Sequence, residues 1–324
     1  MNQVLEHGSV LNIPAYDCSQ ASLFQGIQRP IIGMFSMALG SIFCSLFLIC
    51  LRIMLSPDLI TLSCYKIMFF VGIVDIAALC VCAILSGYLA TNGAIFCTHP
   101  SLIYYTGSLG MSLWCCSCLG NIILLINRML KFKSPHFHDL LFQGKRTIFC
   151  LLLPTFYSLY FLLFTKPVLF TSNSFAWFFD PFIFPDRHLE YANISHMINN
   201  CTVVLLTFIL YMYIGVTLAG QWKNRNNVDR NSRLTSRSKN TLLHQALVIC
   251  AIDQFASTVY VAMNFLTLPT WTIITAQFFW QAAHAFPVIT YLTMNRTMRK
   301  RFIQIFHQPE HIVIASFSSA ARAI

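Results

Sequence analysis

Long apolar runs separated by short polar segments dominate the chain between residues 30 and 294. Seven runs stand out, at residues 30–51, 67–89, 102–126, 147–164, 197–218, 242–266 and 271–294. Each is close to the ~20 apolar residues that cross a bilayer as a helix. Inside hydrocarbon, only a helix satisfies every backbone group without a partner strand. The pattern therefore predicts an all-α membrane protein built as a seven-transmembrane helix bundle.

Composition and charge place the chain in a membrane and orient it. Hydrophobic residues make up 56% of the 324 residues and charged residues 10%, where a soluble domain has about 25% charged residues. The net charge of +10 could indicate nucleic-acid binding, but all except three of the 21 lysines and arginines fall in one set of alternating segments. Because lysine and arginine stay on the cytoplasmic side, this set faces inward and the amino terminus faces outward. We therefore expect no nucleic-acid partner.

The segments outside the apolar runs complete the predicted organisation. Residues 1–29 lack an apolar stretch behind a basic start, so we expect an extracellular amino-terminal segment and no cleaved signal peptide. Residues 30–294 form the seven-transmembrane domain, and residues 295–324 form a cytoplasmic tail. In the tail, apolar residues recur at helical spacing among basic ones, at Met298, Phe302, Ile305 and Phe306. This spacing predicts a short amphipathic eighth helix on anionic membrane lipid.

The third apolar run ends in Asn127-Arg128 at the predicted inner side of the membrane. This is the place of the Asp-Arg-Tyr motif of rhodopsin-like receptors, in which the arginine meets the G protein. Here Asn127 replaces the acid, so the local ion pair that restrains the arginine cannot form. We interpret Asn127 and Arg128 as G-protein coupling residues. The alternative is an arginine that snorkels to the lipid headgroups.

Two acids, Asp75 and Asp253, lie inside predicted spans. A charge at a helix centre costs ~2.5–3.5 kcal/mol on insertion scales, so each acid needs an inward position and a partner. Counted from the inner ends of their helices, Asp75, Asn121 and His284 come out at similar depths. These three could form an intramembrane polar switch near the midplane. The alternative is a neutral, hydrogen-bonded acid that only locks the packing.

Polar and small residues mark the helix faces that we expect inside the bundle. Counting back from Arg128 in steps of three and four residues gives a stripe with Trp114 in its middle. The sixth and seventh runs carry comparable stripes. From these faces we predict a ligand pocket, whose candidate residues are Gly107, Met111, Trp114, Tyr260, Gln277 and Trp280. Close packing of small residues between helices would produce the same stripes.

The predicted outer segments contain candidates for covalent modification. Cys97 can pair with Cys18, our disulfide candidate, or with Cys201, its rival. The pair Cys18–Cys97 would tie the amino-terminal segment over the bundle. Asn193 begins a sequon that ends at Ser195 and is the glycosylation candidate. The aromatic stretch at 175–182 either caps a pocket or docks at the headgroup belt.

Six stretches spread over the helices carry a shared family pattern. They lie at 65–70 with Asp75, at 99–104, at Asn127-Arg128, at 177–181, at 196–200 and at 279–296. In these stretches the chain resembles the serpentine receptor class T family of nematode chemoreceptors, although Ala285 stands where that family usually has Gly. The resemblance implies a receptor in the plasma membrane of sensory neuron cilia. It also implies a heterotrimeric G protein as partner and a small-molecule ligand.

We therefore expect a chemosensory receptor that binds an external small molecule and activates a cytoplasmic G protein. We expect no enzymatic activity, no cofactor and no metal site. A transporter or channel built on seven helices is the alternative, and it would usually need paired intramembrane charges or broken helices. The basic loop at 220–240 suits a G-protein or kinase contact, or simply follows the charge rule.

Overall fold

The computed structural model describes residues 1–19, 26–184, 187–223, 230–263 and 269–307, with the backbone alone at 217–223, 230–242, 263 and 307. Seven long helices dominate it and are numbered here in chain order. Their bounds are Pro30–Met54, Ser63–Thr91, Pro100–Lys133, Arg146–Phe164, Ile194–Lys223, Arg230–Met263 and Thr270–Met294. The side chains of the basic loop at 220–240 and the tail at 308–324 lie outside the described part.

These helices confirm the predicted seven-helix bundle. Each apolar run lies within one helix, except that residues 264–266 at the end of the sixth run lie outside the described residues. Six of the helices are long and apolar enough to cross a membrane. The seventh has 25 residues, but Gln277, Gln281 and His284 make it less apolar, and all three are buried. Their burial reconciles a polar sequence with a membrane position.

The third helix is the centre of the bundle. It contacts the second, fourth, fifth and sixth helices, and most of its residues are buried. The fourth helix is peripheral, because large apolar side chains such as Phe149 and Phe156 are exposed on it. In a multi-pass membrane protein these exposed rings face lipid. The third helix therefore carries the residues that can connect the two ends of the bundle.

The predicted eighth helix is present at Arg296–His307. Met298 is fully buried against the bundle, whereas Phe306 is exposed. Arg301 forms an ion pair with Asp58, which lies in the short helix Pro57–Ile60 between the first and second helices. The hydrogen bond from Arg301 lowers the pKa of the Asp58 carboxyl. This ion pair links the amphipathic helix to the loop between the first and second helices.

The amino-terminal segment packs across the end of the bundle that the charge pattern predicts to face outward, called the outer end below. It contains the helix Asn2–His7 and the turns Val10–Asn12 and Pro14–Tyr16. The ring of Tyr16 is buried against Tyr104 and Tyr191, and this burial raises the pKa of its phenol. The segment is thus a packed part of the outer end.

A disulfide joins Cys18 to Cys97, whose Cα atoms are 5.6 Å apart. It attaches the amino-terminal segment to the turn Phe96–Thr98 before the third helix. Cys201, the rival partner, is a free and exposed thiol in the structure. Of the two pairings left open by the sequence, the structure contains the one with Cys18.

The outer loop between the fourth and fifth helices contains a hairpin that the apolar pattern does not predict. Strand β1, Leu169–Thr171, pairs antiparallel with strand β2, Ala176–Phe178. In the turn, Phe175 has a φ of 49°, a conformation that costs energy for a residue with a side chain. Its fully buried ring packs against Phe170 and Phe278, which holds it there.

The first and second helices approach each other closely at two glycines. A Cβ atom on Gly87 would lie 2.4 Å from the carbonyl oxygen of Gly33, and a Cβ on Gly33 would lie 2.5 Å from that of Gly87. A backbone oxygen cannot move aside as a flexible side chain can. Small residues of this kind let helices in lipid pack backbone to backbone.

We predict that Gly87→Ala destabilises the bundle by ~1–3 kcal/mol, because the added methyl group forces the two helices apart. Gly215→Ala is the matched control, since a Cβ there has no atom within 4 Å. Thermal unfolding of the purified proteins checks this, with a lower melting temperature expected for Gly87→Ala alone. Equal melting temperatures of the two variants would contradict the proposed close contact.

Candidate functional site

A cavity of about 110 Å³ opens in the outer half of the bundle. It is bounded by the third, fifth, sixth and seventh helices and by the outer loop. Its lining residues are Met111, Trp114, Val168, Trp177, Phe178, Phe179, His196, Tyr260 and Trp280. Four of these are among the predicted pocket residues, namely Met111, Trp114, Tyr260 and Trp280. An apolar cavity of about 150 Å³ can bind benzene, so this cavity has room for a small organic molecule of a few heavy atoms.

Two predicted pocket residues, Gly107 and Gln277, do not line this cavity. A Cβ atom on Gly107 would lie 1.7 Å from the carbonyl oxygen of Val168, so the outer loop lies directly on this glycine. The side chain of Gln277 turns to the second helix and donates to the carbonyl of Cys82 at 3.0 Å. The stripe correctly identifies a buried face, but it does not specify which neighbour covers each residue.

The hairpin forms the roof of the cavity. Trp177, Phe178 and Phe179 line the cavity from the loop side. Trp177 donates its indole N–H to Ser86 Oγ at 2.8 Å, which attaches the roof to the second helix. Arg29 donates to two carbonyl oxygens of the hairpin turn, those of Ser172 and Asn173. The aromatic stretch at 175–182 therefore includes the pocket cap, one of the two roles that its sequence left open.

The second helix contains a π-helical stretch, Cys80–Leu85, between its two α-helical parts. The carbonyl oxygen of Cys82 in this stretch accepts from Gln277 and also from Gln281 at 2.9 Å. Gln281 further donates to Ser36 Oγ in the first helix at 3.0 Å. Stretches of this type are frequent at functional sites. Here the stretch joins three helices beside the cavity.

A polar cluster lies below the cavity. Asp75 Oδ1 accepts from Ser117 Oγ at 2.8 Å and lies 2.9 Å from His284 Nδ1. Asn121 lies 3.5 Å from Ser117 Oγ and donates to Asp253 Oδ2 at 2.7 Å. The structure thus joins the predicted set of Asp75, Asn121 and His284, with Ser117 as the link. The sequence interpretation included Ser117 in its stripe but gave it no role.

The cavity and the polar cluster are in contact. The indole of Trp114, which lines the cavity, lies edge-on to His284 with ring centroids 5.8 Å apart. Among the described residues, the buried atoms Asp75 Oδ2, Asn121 Oδ1 and His284 Nε2 have no hydrogen-bond partner. A buried network with spare donors and acceptors can exchange partners without exposing a charge. The switching role of this cluster stays a prediction.

At the end of the bundle opposite to the outer end, called the inner end below, Asn127 contacts a histidine of the loop between the third and fourth helices. His138 lies in the short helix Pro135–Phe142, and its Nε2 is 3.2 Å from Asn127 Nδ2 and 3.1 Å from Ser63 Oγ. Its Nδ1 is 2.8 Å from Asp139 Oδ1, and this hydrogen bond lowers the pKa of Asp139. The sequence interpretation missed His138, because only the folded loop brings it to the third helix.

Arg128 is 9% exposed and points into the bundle, where its Nη2 lies 3.3 Å from Met68 Sδ. Within the described part of the chain, no carboxylate forms an ion pair with it. An arginine that snorkels to headgroups would extend outward from the bundle. The observed burial favours the other interpretation, an inward arginine without a fixed partner.

The glycosylation candidate, Asn193, is 8% exposed. Its Nδ2 donates to the carbonyl of Lys166 at 2.9 Å, and its Oδ1 accepts from the backbone N–H of His196 at 2.9 Å. A glycan would have to be attached to that same Nδ2, which faces the protein. We therefore withdraw the prediction: the sequon is present, but this fold does not expose its amide.

The outer cavity, buried polar cluster and inner arginine are arranged on a seven-helix membrane fold of the receptor type. The crystal structure of squid rhodopsin matches this fold with a TM-score of 0.65, over 90% of each chain at 12% identity. Residues 3–314 match the family model described as "Serpentine type 7TM GPCR chemoreceptor Srt". The chain belongs to this family, as the six sequence stretches indicated.

A curated relative supports the same assignment. "Serpentine receptor class T-55" of Caenorhabditis elegans is 24% identical over 244 residues. The match covers 75% of this chain and 65% of that relative, so this chain spans about two thirds of the relative's length.

We predict that His138→Ala loosens the helix Pro135–Phe142, because it removes a buried group that holds this helix to Asn127 and Ser63. The loss of about 1–3 kcal/mol of local stability should speed amide exchange in this helix by roughly 5- to 150-fold. Hydrogen exchange with mass spectrometry measures this. His136→Ala is the control, since His136 is exposed. Identical exchange in the two variants would exclude the anchoring role of His138.

Proposed function

We propose that this chain is a chemosensory receptor that binds an external small molecule in the cavity and activates a heterotrimeric G protein at its inner end. The family and the fold, which are those of receptors, support this proposal. In it the protein lies in the plasma membrane, with its amino terminus outside. The family resemblance further suggests the cilia of sensory neurons.

One observation carries the proposal. Trp114 in the cavity wall, Asn121 in the polar cluster and Arg128 at the inner end are all buried in the third helix. They follow one another at intervals of seven residues, which is two helical turns or ~10.5 Å each. The same face of one central helix therefore carries the ligand site, the switch and the coupling residue.

The proposed mechanism begins with the ligand displacing the ring of Trp114. Because that ring contacts His284, its movement alters the contact of His284 with Asp75. Asn121 can then exchange partners between Ser117 and Asp253, which shifts the third helix against the sixth. Arg128, whose Nη2 donates to the thioether of Met68, becomes available to the G protein. Each step is an exchange of partners inside the bundle.

We predict that Arg128→Ala abolishes G-protein activation while the receptor still reaches the cell surface. Arg52→Ala is the matched control, because Arg52 is an exposed arginine at the inner end of the first helix. A calcium assay with a promiscuous G protein, together with surface labelling, compares the two variants. Full signalling by Arg128→Ala would exclude the coupling role. Ion currents in vesicles that contain only the receptor would instead favour a channel.

A further inference from the structure

The chemical character and the size of the cavity restrict the ligand that it can take. Six of the nine lining residues are Trp, Phe or Tyr, and no Asp, Glu, Lys or Arg is among the nine. An ion that enters such a cavity loses its hydration without gaining a counter-ion, which is strongly unfavourable. The volume of about 110 Å³ leaves room for a few heavy atoms. Lining and volume together therefore favour a small neutral molecule.

His196 lies on the face of the fifth helix that points into the bundle. It shares this face with Asn200, Val203 and Thr207, which follow at helical spacing and are all buried. Asn200, one turn further along, accepts the indole N–H of Trp114 at 3.1 Å, and Trp114 and His196 both line the cavity. The imidazole therefore reaches the cavity from the inward face of this helix and not from the face that lies toward lipid.

The ring nitrogens of His196 are accessible and have no partner. None of the hydrogen bonds among the described residues involves them; only the backbone N–H of His196 is bonded, to Asn193. The residue is partly exposed, and neither nitrogen belongs to the fully buried polar atoms that lack a partner. The ring packs edge-on to Phe179, with ring centroids 5.2 Å apart, and both rings line the cavity. The imidazole is thus a polar group that the cavity offers to a ligand.

The three tryptophans that line the cavity do not offer such a group. The indole N–H groups of Trp114 and Trp177 already donate to other side chains, at 3.1 and 2.8 Å. Nε1 of Trp280 is fully buried, so no atom in the cavity touches it. These rings therefore supply apolar surface to a ligand, whereas His196 supplies a hydrogen bond.

The chemistry of the imidazole selects the complementary group. None of the nine lining residues is acidic, so a charged imidazole would have no counter-ion there and the neutral form is favoured. A neutral imidazole has one donor nitrogen and one acceptor nitrogen. A hydroxyl group suits either of them, because it can donate to the acceptor or accept from the N–H. An ammonium group has donors only and a carboxylate has acceptors only, and each brings an uncompensated charge.

We infer that the cavity takes a small neutral molecule with an apolar body and one hydroxyl group, which forms a hydrogen bond with the imidazole of His196. This inference rests on the proposed function, because it names the ligand class of that receptor. The aromatic lining surrounds the apolar body, and His196 fixes the position of the hydroxyl group. A single polar group in a mostly apolar pocket determines orientation and specificity in this way.

The test measures binding to the full-length receptor in lipid nanodiscs without any G protein. The probes are sec-butanol, sec-butyl chloride, which has the same shape but no hydroxyl group, sec-butylammonium and isobutyrate. Titration calorimetry gives the affinities, and receptor-free nanodiscs give the heat of partitioning into lipid that is subtracted. We expect both neutral probes to bind, and both ions to bind more weakly than sec-butanol.

Three variants locate the hydrogen bond. His196→Phe keeps an aromatic ring without ring nitrogens, so it should weaken the binding of sec-butanol about three- to tenfold and leave that of sec-butyl chloride unchanged. His196→Leu repeats the comparison without a ring and should give the same selective loss. His99→Phe is the matched control, because His99 is exposed before the third helix and does not line the cavity. It should keep both affinities.

Four results would overturn the inference. They are no binding of sec-butanol, tighter binding of either ion, unchanged binding of sec-butanol in both His196 variants, and an equal loss for sec-butanol and sec-butyl chloride. Since the assay contains no G protein, its result is independent of signalling. Binding of small alcohols that never leads to G-protein activation would contradict the proposed function and leave the ligand class intact.

Discussion

The contact between Asp75 and His284, at 2.9 Å, is the interaction that holds together the polar cluster beneath the cavity. Both side chains are fully buried in helices that cross a membrane, where a lone carboxylate would be very costly. Ser117 donates a hydrogen bond to the same carboxylate oxygen, so the second, third and seventh helices meet at Asp75. This point fixes the ring of His284 against Trp114 and thus the floor of the cavity.

Different interactions hold the loops in place at the two ends of the bundle. At the outer end, a disulfide, Arg29 and the indole of Trp177 hold loops over an apolar cavity. At the inner end, Asn127 stands where rhodopsin-like receptors have an acid. Its side chain contacts His138 of the neighbouring loop. Arg128 therefore has no acid at position 127 to pair with, while the contact of Asn127 with His138 still anchors the adjoining loop. The roof and Arg128, which forms no ion pair with the described carboxylates, are the features that the proposed receptor function uses.

The sequence predicts the helices well, because the bilayer imposes both their length and their apolarity. It also predicts most residues that face inward, including Asp75, Asn121 and His284, because a polar residue in lipid must point to a partner. The sequence does not predict the surroundings of a residue when a segment distant in sequence packs against it. The outer loop covers Gly107, and the side-chain amide of Asn193 donates to the backbone carbonyl of Lys166. For the same reason His138 and the hairpin emerged only from the folded chain.

The central claim is that the cavity and the inner end communicate through the Asp75–His284 contact. The most direct measurement is the affinity of a probe, the tightest-binding compound of a small-molecule panel, for the receptor in nanodiscs with and without nucleotide-free G protein. In the natural protein, G protein should tighten probe binding by at least about fivefold. In Asp75→Leu, which has a similar size but no hydrogen bond, the probe should bind equally with and without G protein. The same tightening in both proteins, or none in the natural protein, would contradict the claim.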